Sequence, residues 1–478
     1  METNALIEAR RVSRKRAFAA RALCAGAAIW LLSVAPASAQ TADMQKILER
    51  LDRLEEQNKT LAAEVRSLRD QLAAAHAPEP APAPLAATES QAPSTEERLE
   101  VQENRTAELA ASKVEASQRF PIRITGMLLF NGFLNSSGSG GLQYPTTASE
   151  GEIRSGGATA RQTVLGIDYS GPTVFGNGKI NGSLRMDFWA GSGSPLGQEF
   201  RLRTAVIGID WKDRSFRVGE DKPIISPREP ESLAQVGVSP LSGAGNLWLW
   251  LPQARFEQDF HFTAQTGLKA QIGVVQTHEV PASPDSPYAP EDATSAYVEP
   301  GRPGFEARVE LFSGGEGRRL EIASGVHHSV SHVMGESVPS DVVSFDWLAR
   351  PWRPIEFSGM FYSGHNVAPL GTGAIRQGYI ALGPGLITNV HGFGGWGQLK
   401  LRPSSRLWFN LFSGQQDDRN SQLPDWAIAK NLVYGANVFY RIGPNVLASF
   451  EASQIRTSYI GYNALLNNHY DLALAYLF

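Results

Sequence analysis

The chain has 478 residues, 42% of them hydrophobic, with 44 basic and 48 acidic residues, a formal net charge of -4 and a mean hydropathy of -0.22. Its single cysteine, Cys24, leaves residues 40–478 without a disulfide or a thiol-based metal site, and no apolar run is long enough for a transmembrane helix. Composition alone fits a soluble protein and a membrane barrel equally, because a barrel disguises its apolar face by alternation.

Residues 1–39 read as a signal peptide. Arg10, Arg11, Arg14, Lys15, Arg16 and Arg21 make a basic start, Ala22–Leu32 is apolar but short, and Ala37-Ser38-Ala39 offers a small-residue cleavage site before Gln40. An amphipathic or buried N-terminal helix is the alternative. The basic run belongs to export and gives no reason to expect nucleic acid as a partner. Arg-Ala-Leu at 21–23 lacks the small residue wanted before a lipidated cysteine.

Residues 40–76 are predicted to form a helical coiled coil. Met44, Ile47, Leu51, Leu54, Asn58, Leu61, Val65, Leu68 and Leu72 recur at spacings of 3 and 4, which places them on one narrow seam. A seam of this kind calls for self-association. Asn58 at an a position favours two strands by the usual rule, and the mixed a positions decide little. Residues 77–119 form a linker. Pro78, Pro80, Pro82, Pro84 and Pro93 among alanines make an extended spacer, and Glu96, Glu97, Glu100, Glu103, Glu108 and Glu115 mark a short helix or an acidic tether.

From residue 120 to 478 period two takes over. Ile122, Ile124, Gly126, Leu128 and Phe130 alternate with Arg123, Thr125, Met127, Leu129 and Asn131; Ala307, Val309 and Leu311 alternate with Glu306, Arg308 and Glu310. The same pattern recurs at 183–188, 406–411 and 434–442. One apolar and one charged face suit a sheet set between lipid and a wet lumen. Turn-type clusters at 135–141, 191–197, 283–292, 314–317 and 415–425 separate the strands. Trp248, Trp250, Trp347, Trp352, Trp396, Tyr476 and Phe478 are expected in an interfacial aromatic belt. The terminal apolar face Tyr470, Leu472, Leu474, Tyr476 and Phe478 fits a strand that closes a barrel. A crossing with its connection takes roughly 20–24 residues, which predicts an all-β transmembrane antiparallel barrel of 16 strands, or else 18. A soluble sandwich or β-helix would also alternate, but it would leave a charged face exposed throughout, and no short repeat is visible.

The barrel segment carries 22 arginines and six lysines against 31 acids, so total charge carries no anion-selective signal. Placement does. Arg185, Arg201, Arg203, Arg217, Arg308, Arg402, Arg406 and Arg441 fall on the predicted lumen face, where guanidinium groups favour anions. Asp187 and Glu310 share that face, as do Glu257, Asp259, Glu306 and Glu451, so ladders of paired arginines and carboxylates that merely stiffen the wall are the simpler reading. His327 and His328 point to opposite faces and have no cysteine or carboxylate at ligand spacing, so neither metal nor cofactor is expected. No Gly-x-Ser-x-Gly elbow occurs, and no enzymatic activity is expected.

Signal peptide, coiled coil, Ala/Pro-rich tether and Phe120-Pro121-Ile122-Arg123-Ile124-Thr125-Gly126 opening a long barrel that ends in Phe478 together resemble the DcaP-like porins of Gram-negative outer membranes. The phosphate-selective porins are the nearest rival, although only Lys179, Lys212, Lys222, Lys269, Lys400 and Lys430 stand in the barrel segment, fewer than a lysine-rich arrangement wants. The resemblance implies a homotrimer of 16-stranded barrels in outer-membrane lipid, a periplasmic coiled coil, and passive diffusion of small anionic solutes such as dicarboxylates. A structural outer-membrane anchor, with the coiled coil reaching toward the periplasm or cell wall, is the competing class.

Overall fold

The computed structural model of the protein describes residues 121–151, 154–190, 198–277, 298–314, 317–371 and 377–478, with side chains from residue 303 onward in the fourth of these segments. All of them belong to the unit Val101–Phe478. The signal peptide, the coiled-coil seam from Met44 to Leu72 and the linker expected over 77–119 lie outside the described residues.

Among the described residues nineteen strands follow in chain order. The first eight are β1 (Ile122–Asn135), β2 (Ser155–Thr159), β3 (Val164–Val174), β4 (Gly178–Ala190), β5 (Glu199–Asp210), β6 (Arg214–Asp221), β7 (Leu251–His261) and β8 (Thr266–Val275). Next come β9 (Val298–Ser313), β10 (Leu320–Val333), β11 (Glu336–Trp352), β12 (Ile355–His365), β13 (Tyr379–Ala381) and β14 (Ile387–Asn389). The last five are β15 (His391–Leu401), β16 (Leu407–Asp418), β17 (Ile428–Arg441), β18 (Val446–Tyr459) and β19 (Leu465–Leu477). Strands β13 and β14 form a separate ribbon, and the other seventeen form one sheet.

Two of those seventeen are halves of one crossing. Strand β1 pairs with β2 through Asn131↔Thr159 and with β3 through Met127↔Val164, so residues 160–163 interrupt a single strand. The result is a closed antiparallel barrel of 16 crossings, with β1 and β19 joined from Met127↔Leu477 to Asn135↔His469. The lower of the two predicted counts is the one found. An even count brings the start of β1 and the end of β19 to the same rim. Connections on that rim are short, as at Arg353-Pro354 between β11 and β12, whereas the opposite rim carries the long ones, including 222–250.

Alternation decides which way each side chain points. Leu128, Phe130 and Leu134 of β1 are exposed on the outer wall, while Leu129, Asn131, Phe133 and Asn135 are buried inside. Strand β19 repeats this with Leu472, Leu474 and Tyr476 outward and Asp471, Ala473 and Ala475 inward. So wide an exposed apolar wall suits hydrocarbon and not water.

Three tryptophans depart from the expected belt. Trp396 and Trp250 are buried inside the barrel, and Trp248 is partly buried against the interior cluster. Only Trp347, Trp352, Tyr476 and Phe478 of the predicted set stand on the outer wall, Trp352 the most openly. Trp396 has inward parity on β15, while Trp248 and Trp250 belong to a connection that turns into the lumen. A second departure is the expected loop at 415–425. Strand β16 runs on to Asp418, pairing Gly392↔Asp418 and Asp417↔Lys430, because a polar strand at the rim remains solvated while its backbone is paired.

Candidate functional site

The connection from Lys222 to Trp250 folds into the barrel and makes its interior. Pro223, Pro227, Pro230 and Pro240 each remove an amide proton and disfavour a strand here. The remaining backbone groups must still be satisfied once they leave water. Wall side chains do this from almost every side. Ile224 N–H donates to Glu306 Oε2 at 2.6 Å, and Val236 and Gly237 N–H both donate to Gln162 Oε1, at 2.7 and 2.8 Å. In the other direction Asn131 donates to Leu233 O (2.8 Å), Asn437 to Glu231 O (2.8 Å) and Asn431 to Gly243 O (2.7 Å). Gly245 passes so close to the wall that a Cβ there would sit 2.3 Å from Gly395 N and 2.4 Å from Gln415 O.

The loop also supplies the apolar core. Ile225, Leu241, Leu247 and Leu249 pack with Met360, Tyr362, Trp396, Phe412 and Val433 of the inner wall. The barrel therefore holds a hydrophobic cluster in its interior, and the loop narrows the lumen.

The charged side chains selected from the sequence point inward but differ in surroundings. Asp187, fully buried, accepts from Arg201 at 2.7 Å and from Arg203 at 3.1 Å. Both guanidiniums continue into the loop, Arg203 Nη1 donating to Val236 O at 2.7 Å and Arg201 Nη2 to Gly237 O. Both also lie over the Trp250 ring, at 5.1 and 4.9 Å. Arg203 also lies near Glu229, which Lys222 holds at 2.8 Å, so three cations face two carboxylates here and one positive charge is left over beside the loop. Both arginines keep some solvent exposure.

Arg308 is different. It holds both oxygens of Asp346 (2.8 Å each) and Glu310 Oε2 (2.6 Å), and it is 2% exposed. Arg228 of the loop reaches Asp346 and Glu321 as well, and Arg318 bridges Glu310 and Asp259 at 2.9 Å each. Arg308 and Glu310 are thus covered by the loop inside a cluster in which three arginines face four carboxylates. Arg185 pairs with Asp168 at 2.6 Å, and Arg217 stands 3.5 Å from Asp210. Arg402, Arg406 and Arg441 have inward parity but sit at the short-turn rim, and among the described residues none of them has an ion pair.

Two features lay beyond sequence reasoning. The inward course of the loop has no signature in the period of two, and only four prolines and three glycines between 222 and 250 mark a long break in alternation. The histidines have carboxylate partners that spacing does not reveal. Cross-strand register brings Glu306 to His327 at 3.0 Å inside and Asp341 to His328 at 2.7 Å outside.

A closed 16-crossing antiparallel barrel is the porin architecture, and solved structures bear out the likeness. The chain is similar to the outer membrane channel DcaP of Acinetobacter baumannii, with 15% identity and a TM-score of 0.61 over 75% of this chain and 97% of that one. It is also similar to an anion-selective porin from Comamonas acidovorans, with 9% identity and a TM-score of 0.51 over 75% and 99%. The fold is therefore the one that the DcaP-like resemblance implied. At the level of sequence, no protein family and no curated protein matches.

Proposed function

We propose that this chain is an outer-membrane channel of a Gram-negative bacterium through which small hydrophilic anions, dicarboxylates among them, diffuse passively. The carrying observation is the pair Arg201 and Arg203 about the buried carboxylate of Asp187, which with Lys222 and Glu229 leaves one positive charge in excess next to the loop that narrows the lumen. Fixed guanidinium charge in a confined, partly dehydrated passage lowers the barrier for anions and raises it for cations. The cluster around Arg308, where carboxylates outnumber arginines, serves instead to hold the loop. In this reading the channel carries out no covalent chemistry and needs no cofactor. The outer wall faces lipid, the short-turn rim faces the periplasm, and the seam from Met44 to Leu72 assembles three copies.

The interior packing under the loop favours a second reading, a closed barrel serving as a membrane anchor. Conductance separates the two. The purified protein in a planar bilayer under a salt gradient is expected to show open channels with a reversal potential of anionic sign. Folded protein without conductance would establish the anchor, and a cationic sign would remove Arg201 and Arg203 as selectivity residues.

A further inference from the structure

The short-turn rim holds three cations that the lumen networks leave unmatched. Arg402 follows β15, Arg406 precedes β16 and Arg441 ends β17. Their backbones are fixed, since Arg441 N–H donates to Arg406 O and Arg402 N–H to Pro354 O, both at 2.7 Å. Together with Ser405, Gly443 and Pro444 the three arginines line one cleft of about 430 Å³.

The cleft is built, not merely charged. Arg441 is braced by its own turn through Nη1 to Pro444 O at 3.0 Å. Arg402 lies 5.6 Å over the ring of Trp408, which in turn stacks on Phe439 with centroids 5.0 Å apart. Both restraints leave most guanidinium donors free. Other inward arginines, such as Arg185, Arg201, Arg255, Arg308 and Arg318, each meet a carboxylate, whereas among the described residues these three meet none.

The adjoining wall shows what its cations accept. Lys400, two residues before Arg402 and over the same Trp408 ring at 5.7 Å, holds the Glu231 carboxylate at 2.6 Å. That carboxylate arrives on the inward loop, as a tethered anion seated on the first cation of a stripe that continues to the rim.

We propose that Arg402, Arg406 and Arg441 form an oxoanion-binding site at the short-turn mouth, taking a free solute with two or more acidic oxygens, either a phosphate or a dicarboxylate. Planar guanidinium forks match such oxygens in pairs, and three of them around one cleft favour a divalent anion over a monovalent one. The site deepens the channel reading and rests on it only for how the solute arrives, because binding itself needs no open pore.

The test is titration calorimetry of the folded, full-length protein in uncharged detergent, with inorganic phosphate and with succinate as probes. Saturable binding is expected, weakened about tenfold by Arg406→Gln, as loss of one charge-assisted contact implies. It should be abolished when Arg402→Gln and Arg441→Gln are added, and weakened less by Arg406→Lys than by Arg406→Gln, since lysine keeps the charge but not the fork. Arg214→Gln, which removes an arginine on the same rim that lies over Trp211 and outside the cleft, should change nothing. Each variant is checked for its folded, heat-sensitive mobility on gels, so that unfolding is not mistaken for lost binding. Absence of saturable binding, or binding unchanged in the triple variant, overturns the site. Repeating the titration in nanodiscs with and without phosphatidylglycerol distinguishes the source, and displacement of phosphate by that lipid would overturn a free-solute site in favour of a headgroup. Binding with no conductance would sink the channel and leave the site standing.

Discussion

The Gly126 amide donates to the Phe478 carbonyl at 3.0 Å, and the Phe478 amide donates back to Gly126 at 3.1 Å. This reciprocal pair lies next to the β1–β19 ladder and completes the closure that removes both sheet edges. The Phe478 ring occupies the space a side chain at 126 would need, since a Cβ there would meet the ring at 2.6 Å and Val164 O at 2.6 Å. Gly126→Val is expected to destabilise the folded barrel by about 1–3 kcal/mol, as overpacking does. The urea midpoint of refolded protein reads this. Adding Phe478→Ala should recover only the part of the loss due to the ring, because the Val164 carbonyl remains in the way.

Arg201 and Arg203 should govern the sign of selectivity. Changing either to Gln is expected to move the reversal potential toward cations, and Asp187→Asn to move it toward anions. Measurement under a fixed potassium chloride gradient checks all three. Equal potentials in wild type and both arginine variants would assign selectivity elsewhere.

Arg308→Gln should behave in the opposite way. It leaves Asp346 and Glu310 buried with fewer cations, a loss of about 3–5 kcal/mol for a buried pair. The remaining contacts from Arg228 and Arg318 place the expected cost toward the lower end. Urea unfolding should register this while the reversal potential of the surviving folded channels stays near that of wild type.

Acid should loosen the inward loop through Glu229. The Glu229 side chain keeps about a third of its surface in solvent. Enclosure by the barrel would by itself raise the carboxyl, but Lys222, Ser239 and Arg203 outweigh that and hold the group below its usual value. A depressed folded value contributes stability above the unfolded pKa, about 4.3, and that contribution is lost as pH falls through the folded value. Current fluctuations are therefore expected to increase below about pH 4. In Glu229→Gln they should be raised already at neutral pH, and this component of their acid dependence should be absent.

The seam predicted over residues 44–72 should tie copies together. Native mass of the intact protein is expected to give three copies, and Leu51→Asp combined with Leu61→Asp to reduce the trimer's resistance to dilution in detergent. A dimer in the wild-type measurement would count against three and restore the two-stranded preference of Asn58.

The sequence by itself determined the wall. Alternation such as Ile122, Ile124, Leu128 and Phe130 against Thr125, Leu129 and Asn131 is local, with a period imposed by the strand itself, so segment length and the apolar face were legible. Strand number followed from length. Inward parity of Arg185, Arg201, Arg203 and Arg308 followed from the same period. Only the tertiary structure decided what those charges do. Asp187 meets Arg201 across a strand pairing interrupted by register shifts, and Arg308 meets Asp346 from a strand two places away. The loop from Lys222 to Trp250 settles which of them keeps contact with water. Such meetings depend on register and on one connection turning inward, and a period of two carries neither. The tryptophans show the same limit, because Trp250 and Trp352 are alike in composition, yet one packs inside the barrel and the other stands on its outer wall.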